Sequence, residues 1–73
     1  MGKVLVVDDK ELMRDSVAAI LSRKGHTVIT AADGEIAVEL AERTEPDLIF
    51  MALSLPVPGG DEVIRRIKAQ RRL

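Results

Sequence analysis

Three short apolar runs, each followed by a stretch of helical period, constrain this chain more than any other feature. Lys3–Val7 (KVLVV) is rich in β-branched residues and lacks polar alternation, as suits a strand buried on both faces. From about Glu11 to Lys24 the period changes. Met13, Val17, Ile20 and Leu21 fall at i, i+4, i+7 and i+8, the spacing of one helix face. Gly25 follows Arg23 and Lys24, a helix stop with cations in the last turn. Thr27–Ala31 (TVITA) reads as a second strand. Asp33 is the expected N-cap of a helix running to about Thr44, with Ala37, Leu40, Ala41 and Thr44 on its buried side. Pro46 blocks continuation, and Leu48–Leu53 (LIFMAL) is a third apolar strand. Ser54–Gly60 holds two prolines and two glycines, a loop, after which Asp61 is expected to cap a helix carrying Val63, Ile64 and Ile67.

Strands separated by helices pair in parallel through right-handed crossovers, so the expected class is α/β. With 73 residues there is room for one domain, spanning 1–73. A chain of this size buries only roughly 60 % of its unfolded surface. Phe50 stands alone among Phe, Trp and Tyr, so Val, Leu, Ile, Ala and Met must form the core. The Leu48–Leu53 strand is wholly apolar, and an exposed edge of that kind invites pairing with another chain. A homodimer is therefore expected, including one made by exchanging elements.

Several classes fall away. Eleven basic against 12 acidic side chains give a formal net charge of −1, without the positive excess of a general nucleic-acid binder. There is no cysteine, which removes disulfides, thiolate metal sites and thiol catalysis. The Val4–Val7 run is too short for a signal peptide or a membrane span, so a soluble cytoplasmic protein is expected.

Asp8 and Asp9 stand where the first strand ends and the chain turns into a helix. In open α/β sheets that carboxyl edge is where ligands bind. Two adjacent carboxylates repel unless a cation or solvent compensates, and a hard ion such as Mg²⁺ would do so. The competing reading is that the pair caps the following helix.

A second motif bears on this choice. Asp47 leads the apolar strand to Ala52, Pro56 stands four residues beyond Ala52, and Gly60 eight beyond it. This stretch closely resembles the third strand and loop of response-regulator receiver domains, where an acidic residue leads a strand ending in the phosphate-accepting aspartate. Val4-Leu5-Val6-Val7-Asp8-Asp9 with Met13-Arg14 resembles the family's first strand and helix. Gly25-His26-Thr27-Val28, then Ala31-Ala32-Asp33-Gly34-Glu35 and Ala37, and finally Gly60-Asp61-Glu62-Val63-Ile64-Arg65-Arg66-Ile67 continue the likeness in order. The resemblance implies a flavodoxin-type parallel sheet and a place in two-component signalling. It also implies a histidine kinase or phosphotransfer protein as partner, and Mg²⁺ held by Asp8, Asp9 and the backbone carbonyl of Ser54.

Two departures qualify that expectation. Ala52 occupies the acceptor position, and alanine offers no nucleophile, so no aspartyl phosphate is expected there. Mg²⁺ should bind weakly, having lost a carboxylate. The Ser54 hydroxyl would share a strand face with Ala52, yet nothing nearby in sequence activates it. Receiver domains have five βα units and this sequence shows three, without the hydroxyl residue and lysine of the later strands. The expectation is a receiver-type module, not an enzyme, with a self-associating or partner-binding piece as the alternative.

Other features are set aside. Lys10 after Asp8-Asp9 breaks the pattern of a dehalogenase-type phosphatase, whose second acid comes two residues after the first. No Gly-rich turn follows Val7, against a dinucleotide site. His26 reads as a surface residue, and Met13 and Met51 read as core filler. Arg65, Arg66, Lys68, Arg71 and Arg72, like Glu35, Glu39 and Glu42, read as solvated helix faces.

Overall fold

The computed structural model describes residues 2–71. Its elements alternate strictly: β1 (Lys3–Val7), α1 (Glu11–Arg23), β2 (Thr27–Ala31), α2 (Gly34–Thr44), β3 (Leu48–Met51) and α3 (Gly60–Arg71). The strands form one parallel sheet in the order β2-β1-β3, so the first strand is central. Lys3 lies level with Thr27 and Val7 with Ala31 on one side, while Val4 meets Leu48 and Val7 meets Met51 on the other. An unbroken apolar strand is what a central position requires, and Val4 to Val7 are all buried.

The two faces of β1 serve different layers because successive side chains alternate. Leu5 and Val7 join Ala31, Ala37, Ala41, Leu55, Val63 and Ile67 in one core cluster beneath α2 and α3, which pack on each other. Val4 and Val6 face the opposite side, where α1 lies against β1 and β2.

The local stops and starts follow their chemistry. Asp33 caps α2, its carboxylate accepting from Ile36 N at 2.9 Å. Gly25 carries φ 92, the left-handed turn that ends α1. Glu45 closes α2 at φ 49 just before Pro46.

Two boundaries, one face assignment and one burial expectation need correction. β3 ends at Met51, although Ala52 N still donates to Val7 O at 2.9 Å, because the proline-rich segment pulls the chain out of register beyond it. α3 begins at Gly60, so Asp61 lies inside the first turn instead of capping it. Ser54 lies in a turn beyond β3, so it shares no strand face with Ala52. Met13 and Ile20 are 54 % and 51 % exposed, so Met13 is not core filler. The apolar stripe of α1 is wider than the strip of sheet it covers. Met51, by contrast, packs against the core.

Candidate functional site

The carboxyl end of β1 carries Asp8, whose backbone N donates to Ala31 O at 3.2 Å as the ladder to β2 closes. Its side chain is buried, at 7 % exposure, and it is the one charged residue in the interior among those described. Asp8 Oδ1 accepts from Lys10 N at 3.0 Å, and Asp8 O accepts from Arg14 Nη1 at 3.0 Å. The N-cap of α1 is Lys10, and no side chain caps that helix. The acidic pair is thus not a helix cap. Lys10 N meets one Asp8 oxygen, and a carboxylate keeps further acceptor positions that a cation or solvent can meet.

Asp9 faces outward. Its Oδ1 lies 3.3 Å from Lys10 Nζ, and the same ammonium donates to Ser54 Oγ at 3.4 Å. Lys10 therefore joins the two loops, β1 to α1 and β3 to α3, at the edge of the site. Ala52 sits one residue past the Val7–Met51 pairing, its N donating to Val7 O at 2.9 Å, and it packs against the apolar core. Of the predicted residues, Asp8, Asp9, Ser54 and Ala52 are all brought to this one sheet end. Among the described residues no trio of acidic or imidazole groups converges to hold a metal ion.

Two glycines shape the rim. A β-carbon on Gly60 would lie 3.0 Å from Ala52 O, so the entry of α3 passes directly over the Ala52 backbone. A β-carbon on Gly34 would meet Val63 Cγ2 at 2.6 Å and Pro58 O at 2.9 Å. Sequence reasoning gave Gly60, Gly34 and Arg14 places in the family-like strings but no structural role to Gly34 or Arg14. Arg14 has no local signal, because its partner is a main-chain oxygen six residues earlier.

The basic face of α3 is partly neutralised. Arg65 and Arg66 both bond Glu62, and Arg66 also reaches Glu35 at 3.3 Å. Hydrogen bonds from Arg65 and then Arg66 hold the Glu62 carboxyl below its ordinary range, and Glu62 and Glu35 hold the Arg66 guanidinium above its own. Glu39 pairs with Arg43 within α2. His26 is half-buried and accepts from Gly2 N at 3.4 Å, so it is tied to the N-terminal segment rather than to the site. The Arg71 side chain and Arg72 lie outside the described residues.

Comparison with known proteins decides the family. The sequence profile of the response regulator receiver domain matches residues 4–73. The chain belongs to the response regulator receiver family. It is 44 % identical over 69 residues to the alkaline phosphatase synthesis transcriptional regulatory protein PhoP of Bacillus subtilis, covering 94 % of this chain and 29 % of that protein. It is 38 % identical over 73 residues to the transcriptional regulatory protein AfsQ1 of Streptomyces coelicolor, covering 100 % and 32 %. This receiver chain thus spans about a third of the length of these curated relatives.

Among solved structures, the chemotaxis protein CheY4 of Vibrio cholerae superposes with a TM-score of 0.94 at 36 % identity, covering 99 % of this receiver and 60 % of that chain. The receiver domain of sensor histidine kinase PA1611 from Pseudomonas aeruginosa gives 0.89 at 36 %, covering 97 % and 61 %. That structure has a magnesium ion coordinated in its active site cleft. The fold is the flavodoxin-like receiver fold, here as three βα units. No helix among the described residues is long and apolar enough to cross a membrane.

Proposed function

We propose that residues 1–73 form one partial receiver domain of a two-component response regulator, working in the cytoplasm without forming an aspartyl phosphate at position 52. The observation that carries this reading is the residue at the end of β3. Asp8 is buried at the carboxyl end of the central strand, and Ala52, whose N donates to Val7 O at 2.9 Å beside that end, brings a methyl group instead of a carboxylate. A carboxyl oxygen is the nucleophile of acyl-phosphate formation, and Ala52 has none. The module signals by binding and catalyses no reaction of its own. Its partners are a histidine kinase or phosphotransfer protein of the kind that serves this family.

Asp8 and Asp9, with the main-chain carbonyl of Ser54, are the residues that would hold Mg²⁺. Two carboxylates and water are within the range of Mg²⁺ sites, so the donor set fits, though weakly. The ion would supply charge compensation for the acidic pair. Lys10 already supplies part of it to Asp9. Treatment with acetyl phosphate and Mg²⁺, followed by intact-mass spectrometry, is expected to leave the chain unmodified. An acyl phosphate sensitive to hydroxylamine would overturn the reading. Ala52→Asp should tighten Mg²⁺ binding on the order of tenfold, measured by calorimetry.

A second reading, self-association as an interaction module, is favoured by the exposure of Leu48 and Phe50, at 60 % and 47 %, on β3.

A further inference from the structure

Lys10 occupies an unfavourable place for a base. It is the N-cap of α1, at the positive end of the helix dipole, and no side chain caps that helix. Helix chemistry favours a hydroxyl, an amide or an acid at that position. The reason for a lysine therefore lies outside the helix.

Its side chain runs along the carboxyl edge of the sheet. The ammonium lies 3.3 Å from Asp9 Oδ1 and donates to Ser54 Oγ at 3.4 Å. Asp9 and Ser54 belong to the loops 8–10 and 52–59, which leave β1 and β3, strands that are neighbours in the sheet. Both ends of the bridge are thus anchored by one strand pairing. Lys10 N meanwhile donates to Asp8 Oδ1 at 3.0 Å, so a single residue serves one acid with its main chain and the other with its side chain. One helical turn later Arg14 Nη1 donates to Asp8 O at 3.0 Å. Two acids at the strand end are accompanied by two bases from the start of α1.

Adjacent carboxylates call for a compensating cation, and a tethered ammonium supplies it as a divalent ion from solvent would. Lys10 Nζ contacts Asp9 and Ser54, two of the three residues that would hold Mg²⁺. An incoming ion meets this charge as a like charge and must take the Asp9 oxygen from it. The Lys10 and Asp9 side chains are 59 % and 33 % exposed, so the ammonium can swing away at little cost.

We infer that Lys10 is the resident counter-ion of the acidic pair: it joins the two loops in the metal-free chain and lowers the affinity for Mg²⁺ by competing for Asp9. The inference rests on the reading of Asp8, Asp9 and the Ser54 carbonyl as the Mg²⁺ residues. It adds a cause of weak binding that is separate from Ala52.

Titration calorimetry with MgCl₂ on the wild type, Lys10→Gln, Lys10→Arg and Lys24→Gln tests it. Lys10→Gln should bind Mg²⁺ at least about threefold more tightly. Lys10→Arg keeps the charge and should match the wild type, as should Lys24→Gln at the far end of α1. Ser54→Ala removes one anchor of the ammonium but keeps the main-chain carbonyl, and should shift the affinity in the same direction by less. Hydrogen exchange reads the bridge without metal. Loops 8–10 and 52–59 should exchange faster in Lys10→Gln than in the wild type, and Mg²⁺ should slow them again in the variant. Equal Mg²⁺ affinity in the wild type and Lys10→Gln would leave the metal reading standing and overturn the role of Lys10. No Mg²⁺ binding to any variant at millimolar concentration would overturn the metal reading and this inference with it.

Discussion

Gly34 is held between three atoms that leave no room for a methyl group: Val63 Cγ2, Pro58 Cγ and Pro58 O. One of these is backbone, so the contact cannot be relieved by a rotamer change alone. Gly34→Ala is expected to destabilise by about 1–3 kcal/mol despite the better helix propensity of alanine, read from urea midpoints. At this scale much of the site was legible. The Asp8-Asp9 pair, Ala52 and Gly60 stand out because their spacing is fixed along one chain. Gly34 was not, since its reason lies in Pro58 and Val63, which only the packing of α2 on α3 brings close. Arg14 and the Lys10 bridge escaped similarly, because their partners are chosen by where two loops end up.

At the scale of elements, α3 is knit together by Glu62, which receives Arg65 and Arg66 from the following turn. The Glu62 carboxyl lies below its ordinary 4.5, chiefly through the Arg65 hydrogen bonds. Its stabilising contribution is therefore fully present above the unfolded value and lost as pH falls through the lowered folded value. Glu62→Gln removes that contribution. The stability gap between wild type and Glu62→Gln should be constant at neutral pH and close on acidification below the ordinary carboxylate range, measured by denaturant titration at several pH values. The contribution is small, as for other exposed pairs. Element types were plain in sequence because local chemistry writes them, as at the Asp33 cap and the Gly25 turn. The end of β3 and the start of α3 were not. A run such as Met51-Ala52-Leu53 is apolar throughout, so hydropathy gives no sign of where sheet pairing stops.

For the molecule as a whole, the core is narrow and aliphatic. Leu5 is fully buried at its centre, and Leu5→Ala should cost about 2–5 kcal/mol. At ~0.05–0.15 kcal/mol per residue, a domain of this size holds about 4–11 kcal/mol in total. Thermal melts of the variant should show a greatly lowered midpoint or no transition. The α1 face shows the limit of reading at this scale. The period of Met13 and Ile20 declares an apolar stripe, but whether a stripe is covered depends on how much sheet lies beneath it.

The central place of β1 has a consequence for how the chain comes into being. β2 and β3 are not neighbours in the sheet, and each is held there by pairing with the five residues of β1, which are made before either. Those residues must wait for both neighbours, the second of which is still being decoded when the first is complete. A message read from the internal Met13 codon would yield both outer strands and nothing to join them.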